Sequence, residues 1–110
     1  MKLRPLFASL FTLTMFNLMS AAPSEVGSTA PVASALTDAG ESLNLADVYA
    51  DNDYTLVYFY PKADTPGCTT QACGLRDIAT DIGDTVVLGV SPDAPSALKD
   101  FDDKYNLGFT

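Results

Sequence analysis

Two short apolar runs set the frame of this chain: "TLVYFY", Thr55–Tyr60, and "TVVLGVS", Thr85–Ser91. Each is continuous rather than alternating, the pattern of a strand buried on both faces, as strands in parallel sheets are. From Cys68 onward, Ala72, Leu75, Ile78, Ala79 and Ile82 recur at steps of three and four, which places them on one face of a helix. Gly83 is the expected stop of that helix. After the second run, Leu98, Phe101 and Tyr105 repeat the same step along a second helix, with Asp93 as its candidate N-cap and Gly108 just beyond it. Strand, helix, strand and helix in that order, joined by short connections, imply a right-handed βαβ unit and a parallel sheet, hence an α/β fold.

The N-terminal third reads differently. Lys2 and Arg4 precede a mostly apolar stretch, "LFASLFTLTMFNLMSAA", that closes on small residues. A basic start, an apolar centre and a small-residue exit describe a secretory signal peptide over residues 1–22. The run is short for a membrane span, which takes about 20 apolar residues, and Ser9, Thr12 and Asn17 dilute it. Residues 23–34, "PSEVGSTAPVAS" from Pro23, are small, polar and proline-containing and read as a linker. The domain is expected over residues 35–110. It opens on a short hairpin around the turn signal "DAG", Asp38–Gly40, with Leu43 and Leu45 alternating after it; Asp47–Asp53 reads as an acidic connection.

Charge narrows the possible partners. The net charge is −8, and removing Lys2 and Arg4 with the leader takes it to −10. Nucleic acid and anionic membranes are recognised through basic patches, so neither is an expected partner. With no histidine and only two cysteines, a zinc site of the usual kind is not available. An exported chain would enter a periplasm or another extracytoplasmic compartment, where disulfides persist.

The two cysteines lie close together in "TPGCTTQACG", Thr65–Gly74. Cys68 follows a buried strand and opens a helix. The first N–H groups of a helix lack partners and carry partial positive charge, which favours thiolate over thiol. Pro66 and Gly67 shape the loop that aims the sulfur. Thr65 reads either as a hydroxyl offered to the same pocket or as a plain helix cap, and Asp64 would oppose a thiolate unless it points to solvent. Cys73 lies five residues on. In an intact helix that step rises about 7.5 Å and turns about 140° net, whereas a disulfide needs Cα atoms within roughly 7 Å and converging side chains. A Cys68–Cys73 bond therefore requires the first turns to unwind. That spacing suits a bond that forms and breaks better than a permanent staple, because a loop this short adds only about 2 kcal/mol. A structural disulfide, or a lone nucleophile beside an unrelated buried cysteine, remains open on the spacing alone.

The stretch "VYFYPKADTPGCTTQACGLRD", Val57–Asp77, resembles the peroxiredoxin Q type of the peroxiredoxin family, also called bacterioferritin comigratory proteins. The resemblance extends from about Leu36 through "VVLGVSPD" to "KDFDDKYNLGFT". It implies a thioredoxin-like fold with an N-terminal hairpin extension, and thiol peroxidase activity on hydrogen peroxide and organic hydroperoxides. By the same resemblance Cys68 matches the peroxidatic cysteine and Cys73 the resolving one, which together pass through a sulfenic acid to an intramolecular disulfide. Thr65 matches the threonine that orients the peroxide, and Pro61 the proline that shields the pocket. The family implies reduction by thioredoxin or a related dithiol protein and no metal or organic cofactor; a monomer is expected.

One departure stands out. The family carries a catalytic arginine on a later strand, while this chain has only Arg4 in the leader and Arg76 in "GLRD". Arg76 matches a different family position and reads as an exposed or salt-bridging residue. The family also continues past "FT", so the chain reads as a C-terminally incomplete peroxiredoxin domain. Two other readings stand beside the peroxidase. An exported thioredoxin-like disulfide oxidoreductase would usually carry a C-x-x-C spacing. A non-enzymatic domain stapled by a structural disulfide would show no thiol cycling.

Overall fold

The computed structural model describes residues 22–110. The leader expected over residues 1–22 lies outside the described residues except for Ala22. The described residues divide into a short segment ending at Ala30 and a compact unit, Pro31–Thr110. The short segment holds one turn, in which the Ser28 N–H donates to the Glu25 carbonyl at 3.1 Å.

The compact unit opens with the expected hairpin. Strands β1 (Ser34–Leu36) and β2 (Ser42–Asn44) pair antiparallel, with Ala35 opposite Leu43. Gly40 takes φ 80° in the connecting turn, a conformation that glycine adopts without a Cβ penalty. β1 begins at Ser34, inside the stretch read as linker.

The acidic connection expected at Asp47–Asp53 is a helix instead. Helix α1 runs Leu45–Asp51, and the Asn44 side chain caps it by accepting from the Ala46 N–H at 3.0 Å. Asp47 lies in its first turn, where a negative charge meets the positive end of the helix. Acidity that reads as a loop in sequence is here the normal dress of a helix start.

Strand β3 (Tyr54–Phe59) and strand β4 (Thr85–Val90) pair in parallel, from Tyr54 opposite Thr85 to Phe59 opposite Val90. Helix α2 (Pro66–Ile78) connects them, and helix α3 (Pro95–Tyr105) follows β4. This is the strand–helix–strand–helix order that the sequence implies. The core gathers Tyr58, Tyr60, Ala72, Val87, Phe101 and Leu107, so it lies between the sheet pair and α2 and α3.

Burial of β3 on both faces is not observed. Phe59 is 75% exposed on one face; on the other only Tyr58 is buried, and Tyr54 and Leu56 at the start of the strand stay exposed. The helices cover the Tyr58 face. On the Phe59 side, the hairpin and α1 help to line an apolar groove of about 430 Å³ with Val57, Phe59, Leu88 and Val90, but they do not fill it. The groove contains neither cysteine. β4 fits the expectation better, with both Val87 and Leu88 buried.

Helix α2 starts two residues earlier than its apolar pattern suggests, because Pro66 occupies the first position, where its fixed φ is pre-set and its missing N–H costs nothing. It ends at Ile78 rather than running to Gly83, and Ile78 is 44% exposed. Gly83, at φ 64°, instead closes the turns that lead into β4.

Asp93 is not the N-cap of α3. That position belongs to Ala94, with Pro95 next and no side-chain cap bond. The Asp93 carboxylate is drawn away to the loop before α2, where it accepts from the Ala63 N–H at 2.7 Å and from the Ser91 hydroxyl at 3.1 Å. At the other end of α3, Asn106 takes the left-handed conformation at φ 51° as the C-cap; a short polar side chain tolerates it there.

Candidate active site

β3 delivers the chain to Pro61, the loop Lys62–Asp64 turns it back, and α2 begins at once. Asp64 makes that reversal in the left-handed region, at φ 58°, a conformation uncommon for residues other than glycine but tolerated by aspartate. Two side-chain interactions hold the loop. Asp93 grips the Ala63 N–H from the far side of β4. Asp64 accepts from Lys104 Nζ at 2.7 and 3.0 Å and from the Tyr105 hydroxyl at 2.6 Å. Lys104 foremost, then the Tyr105 hydroxyl, holds the Asp64 carboxyl below the usual carboxylate range, and Asp64 in turn raises Lys104. The charge of Asp64 is thus spent on α3 rather than facing Cys68 unopposed.

Thr65 occupies the N-cap position of α2 without acting as a side-chain cap. Its hydroxyl donates to the Lys62 carbonyl at 2.9 Å, so its oxygen lone pairs are not used on the helix. The first bond into the helix is the Thr69 N–H to the Thr65 carbonyl, at 2.8 Å. The Gly67 and Cys68 N–H groups precede that bond and find no backbone acceptor among the described residues. Such orphan donors at a helix start are suited to bind an anion or a polar oxygen.

Cys68 is the third residue of α2 and Cys73 lies near the middle; both are free and half-buried. Both pack against the buried core, which includes Tyr58 of β3 and Tyr60 just past its end. Tyr58 and Tyr60 stack with ring centres 5.4 Å apart. Burial, then Tyr60, then Cys68 pushes the Tyr58 hydroxyl up to about 12. Tyr60 is raised as well, first by burial, then by Asp93 and Cys68. The site presents a half-buried thiol beside two N–H groups that have no backbone acceptor. Pro61 is exposed and lines a shallow depression with Phe59, Tyr60, Val90, Ser91 and Pro92.

The structure therefore gathers Pro61, Thr65 and Cys68 on one loop and helix start. Cys73 sits five residues farther along an unbroken helix. Arg76 forms an ion pair with Asp77 at 2.8 Å, as the salt-bridge reading anticipates. It also donates from Nη1 to the Tyr105 carbonyl at 2.5 Å. Asp77 foremost, with Cys73 a lesser cause, raises the Arg76 guanidinium further. Sequence reasoning missed Asp93, Lys104 and Tyr105. Their signal is a tertiary one, since each reaches the loop from 30 or more residues away.

Comparison with known proteins settles the lineage. Residues 26–110 match the AhpC/TSA family. This chain belongs to the AhpC/TSA family. Among its relatives is peroxiredoxin Bcp of Escherichia coli, 47% identical over 90 residues, an overlap that takes in 80% of this chain and 56% of the relative. Among solved AhpC/TSA-like structures, that of peroxidoxin BcpB from Mycobacterium tuberculosis superposes with a TM-score of 0.70 at 27% identity, over 76% of this chain and 55% of that one. A Xanthomonas campestris bacterioferritin comigratory protein, studied for alkyl peroxide reduction, superposes with a TM-score of 0.57 at 28% identity, over 73% of this chain and 49% of that one. These neighbours make the fold thioredoxin-like. The chain spans about half the length of the relatives it matches.

Proposed function

We propose that this chain carries the peroxide-reactive centre of a thiol-dependent peroxidase acting on hydrogen peroxide and organic hydroperoxides. The observation that carries the reading is the place of Cys68 in the first turn of α2, with unpaired N–H groups beside it and an uncommitted Thr65 oxygen one turn earlier. The likeness to Bcp-type peroxiredoxins, one of them studied for alkyl peroxide reduction, supports it.

The chemistry balances as follows. The Cys68 thiolate attacks one peroxide oxygen and the O–O bond breaks. The sulfur becomes a sulfenic acid, and the other oxygen leaves as an alkoxide or hydroxide that takes up a proton to give alcohol or water. The Cys68 N–H and the Thr65 hydroxyl orient the peroxide, and Pro61 limits access of water. Cys73 then attacks the Cys68 sulfur, forming the S–S bond and releasing water. Thioredoxin or a similar dithiol reduces the disulfide and is itself oxidised. The protein acts as a monomer, and the leader pattern of residues 1–22 assigns it to the periplasm or another extracytoplasmic compartment.

The test uses protein carrying Cys73→Ser. After treatment with one equivalent of hydrogen peroxide, a sulfenic-acid trap should label Cys68, as located by mass spectrometry. Label on another residue, or none, defeats the assignment. Export is checked separately by the mass of the mature N-terminus, which should lie near Ala22 in protein recovered from outside the cytoplasm; an intact Met1 there would refute cleavage.

A further inference from the structure

The turn that leads into Cys68 is held at its tightest residue. The Thr65 hydroxyl closes back on the Lys62 carbonyl at 2.9 Å, which makes Lys62–Thr65 a closed turn. Asp64 stands third in it and takes the left-handed backbone, at φ 58°. Both oxygens of its carboxylate are engaged on α3. Oδ1 accepts from Lys104 Nζ at 3.0 Å and from the Tyr105 hydroxyl at 2.6 Å, and Oδ2 accepts from Lys104 Nζ at 2.7 Å. The donors are themselves placed. The Tyr105 ring stands edge-on to buried Phe101 with centres 5.5 Å apart, and Lys104 Nζ lies 5.2 Å from the centre of the Tyr105 ring.

These bonds do little for the fold as a whole. Asp64 and Lys104 are both about half exposed, and an ion pair of that kind contributes little to overall stability. Their effect is local. Thr65 follows Asp64 directly in the chain, and Cys68 is the third residue of the helix that starts just after it. The left-handed region is a small well for a residue other than glycine, and a side chain held at both oxygens keeps Asp64 in it. Asp93 fixes the Ala63 N–H one residue earlier. With both residues held, the turn keeps few ways for the Thr65 oxygen to drift. A role for the Asp64 charge at the thiol would need its carboxylate turned toward α2, whereas all three of its bonds go to α3.

We infer that Asp64, clamped by Lys104 and the Tyr105 hydroxyl, is a positioning residue for the peroxide step. It aims the Thr65 oxygen at the bound peroxide and leaves the reactivity of the Cys68 sulfur itself unchanged. The inference rests on the roles given to Cys68 and Thr65 in the proposed function.

The test uses protein carrying Cys73→Ser, in which Cys68 is the single thiol. Two rates are measured at one pH: sulfenic acid formation with hydrogen peroxide, read by trapping and mass spectrometry, and alkylation with iodoacetamide. Both consume the Cys68 thiolate, but only the first needs an oriented peroxide. Asp64→Gly permits the left-handed backbone and removes every bond to α3. It should slow the peroxide reaction on the order of tenfold, as for a misplaced reacting group, and leave alkylation within experimental error. Lys104→Met should slow the peroxide reaction by less, because the Tyr105 hydroxyl remains. Lys104→Arg, whose planar fork meets both carboxylate oxygens, should retain the parent rate. Added to Asp64→Gly, Lys104→Met should have no further effect, the non-additivity of two residues acting as one unit. An unchanged peroxide rate in Asp64→Gly overturns the inference. So do parallel changes in both rates, which mark a charge effect or a general loosening, and so do additive losses or a recovery in the double variant. If the parent protein forms no sulfenic acid at Cys68, the proposed function falls, and this inference with it.

Discussion

The Ala63 N–H donates to the Asp93 carboxylate at 2.7 Å, joining the loop before α2 to the loop after β4 across 30 residues of chain. The same carboxylate accepts from the Ser91 hydroxyl, whose oxygen in turn accepts from the Asp93 N–H. The parallel pairing of β3 and β4 brings these two strand ends together, and Asp93 uses that proximity to fix the segment leading to Cys68.

Asp93→Ala leaves the Ala63 N–H without its charged acceptor. A hydrogen bond to a charged group contributes about 1.5–3 kcal/mol, and a half-buried one belongs toward the lower end. The expected result is a stability loss of about 1–2 kcal/mol in urea denaturation. The rate of Cys68 oxidation by peroxide should fall on the order of tenfold, as for a mispositioned reacting group. Asp93→Asn keeps an acceptor oxygen and should retain most of both. An unchanged oxidation rate in Asp93→Ala would show that the loop holds its shape without this bond.

The tyrosines under the site predict an alkaline limit. The Tyr58 hydroxyl is raised to about 12, by burial first. A group raised on folding favours the folded state fully below its unfolded value, about 10 for tyrosine, and that advantage is lost as pH rises through the folded value. Stability should therefore fall between about pH 10 and pH 12, with Tyr60 adding to the effect. Tyr58→Phe should flatten the decline, measured as urea midpoints against pH. Equal slopes for both proteins would mean that Tyr58 titrates alike in the folded and unfolded states.

Gly89 has a steric reason to be glycine. A Cβ there would lie 2.9 Å from Tyr58 Oη and 3.0 Å from two carbons of the ring. The ring cannot simply step aside, being buried, stacked on Tyr60 and met edge-on by Phe109. Gly89→Ala should destabilise by about 1–3 kcal/mol through overpacking. Adding Tyr58→Leu should recover part of that loss, a coupling that a double-mutant cycle measures. Additive losses would place the strain elsewhere.

Much of the frame was legible because it rests on local pattern. The run Thr55–Tyr60, the steps through Ala72 and Leu75, and the pair Phe101 and Tyr105 each declare an element whose period is visible in the sequence. Proline at the first position of α2 and α3 explains why both helices start where they do, and it was readable at Pro66 and Pro95. Helix α1 was hidden because seven residues with a single first-turn aspartate look like a polar connection. The loss of one buried face on β3 could not be read from Phe59 itself, since an apolar residue carries no mark of what lies over it. At the site, the thiol and its loop were visible in "TPGCTT". The grip on that loop was not, because Asp93, Lys104 and Tyr105 act across about 30 to 41 residues and depend on the parallel pairing to arrive.

The row of rings from Tyr58 through Tyr60 and Phe101 to Tyr105, with successive centres 5.4, 6.0 and 5.5 Å apart, gives the molecule a built-in optical gauge. The chain has no tryptophan and five tyrosines, and three of the five stand in this row. Tyrosine emission is therefore not masked by a stronger fluorophore. A movement that disturbs the Arg76–Tyr105 bond, or a tilt of the Tyr58 ring, changes the surroundings of one of five emitters. If the thiols of this centre are oxidised, the expected readout in unlabelled protein is a change in its own ultraviolet tyrosine fluorescence.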